Sequence, residues 1–411
     1  MKLFFFSIVF FFCFASNASA QDISAQKIKQ HVAFLASDNL HGRGTGTADE
    51  KKAAQYIAEQ FMKIGLTPKG DNATWFHHFS FRQILNPHGI VDTTEPETKS
   101  ENVVGFLDNK AAYTIVIGAH YDHLGNTDGE GSSLDANPNG KIHNGADDNA
   151  SGTAGVIELA RYFKDNGKQE PYNFLFICFS GEELGLIGSK KFCESPTIAL
   201  DSVNYFINMD MIGRYRTEKG LLIQGVGTAA LWSPILDYLP TDMHIIRDSS
   251  GVGPSDYTSF YLKKIPVLGF FTGQHSDYHK PSDDTQLINF VGEKHVLEYI
   301  ARLAEATCTF DRMTYQETKQ PDMGTRAFKV TLGVMPDYSY DKKGLRLDGV
   351  TDGKPASKAG LKTGDIVLKL GDYDVENIYG YMDALANYNK GDTVKVVVKR
   401  NNEEKVFEVK F

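Results

Sequence analysis

Cysteine is scarce, with four residues in a chain of 411. Cys13 lies in an N-terminal apolar run, and the remaining Cys178, Cys193 and Cys308 are an odd set with none of the paired spacings of a thiolate zinc site. Cys178 sits inside the apolar run N-F-L-F-I-C and reads as a small core residue. A Cys193–Cys308 disulfide is left open. An excess of positive charge is also missing: 43 Lys+Arg stand against 52 Asp+Glu, a formal net charge of −9. That balance gives no electrostatic footprint for nucleic acid or for an anionic membrane surface. Neither H-E-x-x-H nor G-x-S-x-G occurs, which removes the common zincin and serine-hydrolase signatures. The string G-R-G-T-G-T, Gly42 to Thr47, follows a helical pattern rather than a strand and has the wrong spacing for a dinucleotide loop. It reads as a turn with Thr47 as the N-cap of the next helix.

What is present begins with an export pattern. Lys2, the apolar run Leu3 to Ala15 and A-S-A at 18–20 have the form of a secretory signal peptide over residues 1–20, too short for a comfortable membrane span. The expected mature chain starts at Gln21, has no membrane span, and is secreted or periplasmic. Its length predicts two domains. Ile28 to Leu35 and Ala53 to Ile64 carry helical periodicity, the second ending at a C-cap glycine, Gly65.

From about Ala112 short apolar runs alternate with helical segments. Tyr113 to Ala119, Asn173 to Phe179, Val203 to Met209 and Pro266 to Phe271 read as buried strands, while Thr153 to Phe163 and Phe290 to Ala306 read as helices. The alternation predicts an α/β fold with a mostly parallel central sheet and helices on both faces, in which ligands bind beyond the carboxyl ends of the strands. A first domain over 21–312, a polar linker over 313–323 and a small β-rich unit over 324–411 complete the expected organisation.

The residues after the strands carry the chemistry. The first strand ends in H-Y-D-H-L-G with His120 and Asp122, the second in S-G-E-E-L-G with Glu182 and Glu183, and the third in N-M-D with Asp210. Y-H-K-P-S-D-D brings His279 and Asp283, and N-G-A-D-D-N-A-S-G brings Asp147 and Asp148. Taken singly, each has a structural reading as a helix cap, a turn residue or an exposed loop histidine. Converging on one edge of one sheet, they make a metal site the better reading. Imidazole and carboxylate donors without thiolate suit zinc or a similar divalent ion. Two histidines and three carboxylates serve two ions if one carboxylate bridges. Asp122 and Asp283 are placed to hold the imidazoles of His120 and His279 in their tautomers. Of the two adjacent glutamates, one can bind metal while the other accepts a proton from water.

These strings, G-A-H-Y-D, G-A-D-D-N-A-S-G, S-G-E-E-L-G-L-I-G-S, N-M-D-M-I-G and Y-H-x-P-S-D, resemble the secreted co-catalytic di-zinc aminopeptidases of the bacterial leucyl aminopeptidase type, over roughly His31 to Ala306. The resemblance implies two zinc ions bridged by Asp147, with His279 and Glu183 completing one site and His120 and Asp210 the other. It implies Glu182 as general base toward a metal-bridging water, peptides with a free N-terminus as substrates, and a cis peptide between Asp147 and Asp148. S-D-Y at 255–257 stands where many relatives have S-D-H, so Tyr257 is a candidate substrate contact. At the C-terminus, P-A-S-K-A-G-L-K-T-G-D-I-V-L-K-L-G resembles the central segment of permuted PDZ domains of bacterial envelope proteases, and Leu332, Gly333 and Val334 fall where such domains hold a peptide carboxylate. A C-terminal peptide ligand and a ligand-free small domain are both open. The function expected is a secreted zinc aminopeptidase. A glutaminyl cyclase with a single zinc and a non-catalytic peptide-binding scaffold are the alternatives.

Overall fold

Helix α1 (Ala25–Leu35) starts where the Ser24 hydroxyl accepts from the Lys27 amide at 3.3 Å. Helix α2 (Ala48–Ile64) starts at Thr47, whose Oγ1 accepts from the Glu50 amide at 3.1 Å, and ends at Gly65 in the left-handed region. Its buried stripe of Ala53, Ile57, Ala58 and Phe61 faces the sheet core. The computed structural model describes residues 22–82, 97–127, 132–135, 137–318, 330–337, 340, 342–351 and 353–411. The expected signal peptide, residues 319–323 of the expected linker and the expected start of the second unit at 324 lie outside them.

Strands β1 (Phe76–Phe81), β2 (Thr98–Leu107) and β3 (Thr114–His120) are followed by α3 (Gly152–Asp165), β4 (Asn173–Phe179), α4 (Ile187–Glu194) and β5 (Val203–Met209). Then come β6 (Leu221–Gln224), α5 (Trp232–Tyr238), β7 (Ile245–Arg247), α6 (Tyr257–Tyr261), β8 (Val267–Phe271) and α7 (Phe290–Thr307). With the short strand Thr67–Pro68 they build one sheet in the order 67–68, β2, β4, β3, β5, β8, β6, β7, with β1 on β2. The centre is parallel: β3 pairs in parallel with β4 and β5, and β5 with β8, while β2 and β6 join antiparallel.

Every residue of β3, β4 and β5 is buried, which is why these strands read as unbroken apolar runs rather than alternating ones. One face is covered by α1, α2, α3, α5 and α7; the other by α4 and α6, through Phe192, Tyr257 and Phe260. Register fixes the site. His120 lies opposite Phe179, and Met209 opposite Phe270, so the residues after all four strands emerge along one edge.

Cys178, Cys193 and Cys308 are free; Cys193 packs on the α4 face and Cys308 against the opposite one, so the disulfide left open by the sequence is not formed. No helix among the described residues is long and apolar enough to cross a membrane. The expected boundary after 312 also shifts. Met313 is buried and its amide donates to Asn204 Oδ1 at 2.7 Å; Tyr315 bridges to Ala229; the Thr318 amide donates to Tyr261 Oη at 2.9 Å. Residues 313–318 are therefore part of the first domain's packing, because a polar composition does not prevent backbone groups from pairing with the fold beside them.

The second unit has its own core, built around Leu332, Leu347, Val367, Val396 and Val398. Strands β9 (Val334–Pro336), β10 (Leu345–Val350), β11 (Ile366–Leu370), β12 (Thr393–Arg400) and β13 (Glu403–Lys410) form an antiparallel sheet in that order, with helices α8 (Pro355–Ala359) and α9 (Ile378–Leu385). Gly333 takes φ +72°, and its carbonyl accepts from the Thr351 amide at 2.9 Å.

Candidate metal centre

His120 ends β3, Glu182 and Glu183 follow β4, Asp210 follows β5, and His279 comes from the loop after β8. His120 Nε2 lies 3.4 Å from Asp148 Oδ1 and 3.6 Å from Asp210 Oδ1. His279 Nε2 lies 3.2 Å from Asp148 Oδ2 and 3.2 Å from Glu183 Oε2. Asp148 thus turns one oxygen to each of two imidazole–carboxylate sets. Donor atoms around a tetrahedral ion with bonds of roughly 2.0–2.1 Å stand about 3.3 Å apart, so these separations, together with a donor set free of thiolate, fit divalent cations of the zinc kind. Glu182 Oε2 stands further off, 3.9 Å from His120 Nε2. These side chains line a pocket of about 100 Å³ shared with Gln224, Pro254 and Gln274.

The resemblance put the bridge on Asp147; the structure puts Asp148 in that place. Asp147 points inward, with Oδ1 accepting from the Gly213 amide at 2.7 Å and the Ser151 hydroxyl at 3.2 Å, and Oδ2 lying 3.2 Å from His275 Nε2. Neighbouring residues in an irregular loop face opposite ways, and D-D alone does not say which faces out. The cis peptide is likewise one position later than implied, between Asp148 and Asn149. The loop starts at Gly145, φ +56°, where a Cβ would fall 2.1 Å from the Asp148 carbonyl oxygen and 2.5 Å from the His123 ring.

Two further readings are corrected. Asp283 does not hold His279, whose Nδ1 faces the Ser132 carbonyl at 3.0 Å. Instead Asp283 Oδ2 accepts from the amides of Asp147 and Asp148 at 2.9 and 3.1 Å, fixing the loop that presents Asp148. Tyr257 does not reach the pocket; it is fully buried on the α6 face, with its hydroxyl under Gly253, where a Cβ would come within 1.8 Å. Its ring is part of the apolar core there.

Asp122 lies beside His120. His120 Nδ1 is 3.2 Å from the Asp122 carbonyl oxygen and 3.6 Å from its Oδ1, and Oδ1 also accepts from the Glu182 amide at 3.2 Å. The Thr45 hydroxyl donates to the other carboxylate oxygen at 2.7 Å. The sequence reading passed over His123, whose Nδ1 is 2.6 Å from Glu183 Oε1, although it stands in H-Y-D-H, three residues after His120. His275, four residues before His279, was also passed over. Arg43 was read only as part of a turn. It is buried and donates to the carbonyls of Tyr121 at 2.7 Å and Gly145 at 2.8 Å, tying the end of β3 to the Asp148 loop.

The protein groups drive the paired glutamates apart. Burial, with Asp210 and Glu183 adding to it against the pull of His120, raises the Glu182 carboxyl well above its ordinary range. Burial opposes ionisation of Glu183 and Asp148 too, but the imidazoles beside them win: Glu183 is held down at about 2 by His279 and His123, and Asp148 well below the carboxylate range by His120 and His279.

The chain matches two known families. Residues 102–304 match the model of Peptidase family M28, and residues 321–411 match the PDZ domain model. The chain carries a peptidase family M28 domain followed by a PDZ domain. All six pocket carboxylates and imidazoles described above fall within the M28 match. The probable lipoprotein aminopeptidase LpqL of Mycobacterium tuberculosis is 31% identical over 287 residues, covering 66% of this chain and 51% of that one. The chain spans about half the length of the curated relatives it matches, 51% and 54% for two of them. BSAP, a zinc aminopeptidase from Bacillus subtilis, superposes with a TM-score of 0.54 at 16% identity, over 71% of this chain and 96% of that one. Porphyromonas gingivalis glutaminyl cyclase does so with a TM-score of 0.52 at 18% identity, over 69% and 99%. Both likenesses concern the fold.

Proposed function

We propose that the M28 domain is a metallo-aminopeptidase that holds two zinc ions and removes N-terminal residues from peptides, in a protein exported from the cytoplasm. The observation that carries the reading is Asp148, with one oxygen toward His120 and Asp210 and the other toward His279 and Glu183, while Glu182 stands 3.9 Å from His120. Bound zinc would polarise the scissile carbonyl and make water a better nucleophile at neutral pH.

The chain's own residues do the rest. Glu182 accepts the proton of the attacking water and delivers it to the departing amine, from its place at the pocket 3.9 Å from His120. Asp122 holds the Glu182 amide and faces His120, so base and ligand are set by one residue. His123 restrains Glu183 in the same manner.

The test is turnover of an aminoacyl-arylamide panel by the purified chain, before and after chelation and after zinc is restored. The account expects activity that is lost on chelation and returns with zinc. Conversion of N-terminal glutaminyl peptides to a cyclic product without arylamide hydrolysis would instead establish the cyclase alternative.

A further inference from the structure

Beside the metal-site pocket lies a larger cleft of about 610 Å³ between the two domains, and Gln224 and Pro254 line both. One wall of the cleft is the M28 domain, with Leu222, Ile246 and Val252; the other is the PDZ domain, with Leu345, Ile378 and Met382. Lys219 Nζ approaches Asp337 Oδ2 at 3.5 Å, an ionic contact from one domain to the other. A small-molecule site usually occupies roughly 300–1,000 Å³; the inner pocket, at about 100 Å³, takes only the end of a substrate, and the cleft, at about 610 Å³, is of the size to hold more of it. The cleft reaches Asp337, directly after β9, an edge strand paired only with β10 among the described residues. Such an edge accepts an extended backbone by strand addition.

We propose that this cleft holds the part of a peptide substrate that follows its N-terminal residues, so that the PDZ domain forms the outer half of the peptide-binding groove. The proposal rests on the aminopeptidase reading of the inner pocket. An N-terminus seated beside Glu182 leaves the chain behind it only the mouth of the pocket, and part of that mouth, Gln224 and Pro254, is cleft wall. Apolar side chains on both walls then meet the substrate's own. The substrate class is an oligopeptide rather than a dipeptide, read through its length and apolar content and without need of its terminal carboxylate.

The experiment uses the full chain and three substrates with one N-terminal residue: an arylamide, a dipeptide and a decapeptide amide with apolar residues beyond the second position. The unaltered chain should show a kcat/KM for the decapeptide at least fivefold above that for the dipeptide. Ile246→Glu on one wall and Met382→Glu on the other should each lower the decapeptide-to-arylamide ratio of kcat/KM at least fivefold, chiefly by raising KM, since binding remote from the reacting bond is lost. Ile246 belongs to the M28 wall, so its variant reports even if Met382→Glu destabilises the PDZ core. Arylamide turnover with the ratio unchanged in both variants would overturn this proposal alone. Absence of arylamide turnover by the unaltered chain would overturn the aminopeptidase reading and this proposal with it.

Discussion

Glu182 and Glu183 are adjacent in sequence yet face opposite surroundings, Glu182 beside the carboxylate of Asp210 and Glu183 between His279 and His123. Glu182→Gln keeps the shape of the side chain and removes the proton acceptor, so turnover should fall on the order of 100-fold or more while metal content holds. Glu183→Gln should lower metal content first. Measuring both quantities on both variants checks the assignment, and exchanged phenotypes would reverse it. Residue identity was legible in the sequence for His120, Glu182, Glu183, Asp210 and His279, because each stands where a buried strand or its loop delivers it to the sheet edge. The choice between Asp147 and Asp148 was not legible, since it depends on which way a loop starting at a left-handed glycine turns. The same holds for Asp283, whose carboxylate is taken by two backbone amides that no motif displays.

At the scale of elements, the buried parallel strands were readable because burial on both faces writes a continuous apolar run. The marginal strands β6, antiparallel to β8, and β7, parallel to β6, were not, being short strands of four and three residues. A buried polar group links helix α2 to the turn after β4. Glu50 accepts from the Gly46 amide at 2.7 Å and the Ser100 hydroxyl at 2.9 Å; it contacts the Ser180 hydroxyl, itself 2.6 Å from Ser100. If Ser100 donates to Glu50 and Ser180 to Ser100, the Glu50–Ser180 contact needs a proton from Glu50. Burial, with the charge of Asp122, pushes the Glu50 carboxyl up to about 8, in keeping with that ring. Because the folded pKa lies above the unfolded one, the native state keeps a proton that the unfolded chain has lost. Its contribution to stability is complete below about 4.5 and disappears as pH rises through about 8. Glu50→Gln can supply the same donors and acceptors without titrating. The fall in Tm between pH 5 and 8, followed by thermal unfolding, should therefore be shallower in Glu50→Gln than in the unaltered chain.

For the whole molecule, the packing of residues 313–318 on the first domain leads us to propose a division between domains after Thr318 rather than after Arg312. A chain ending at Thr318 should bind metal and hydrolyse arylamides at a rate close to that of the full chain. One ending at Arg312 loses buried Met313, the Tyr315 bridge to Ala229 and the Thr318 contacts with Tyr261. Removal of a buried methionine side chain alone costs about 2 kcal/mol or more, and each kcal/mol corresponds to roughly 2–4 °C in a domain of this size. The Tm of the shorter chain should accordingly lie several degrees lower. Equal Tm values by calorimetry would return the boundary to Arg312. The central claim, a two-ion site divided by Asp148, is tested most directly by counting metal. Elemental analysis of the undialysed protein should give two zinc ions per chain, reduced in Asp148→Asn and maintained in Asp147→Asn; a value of one in the unaltered chain, or loss of metal from Asp147→Asn alone, would contradict it.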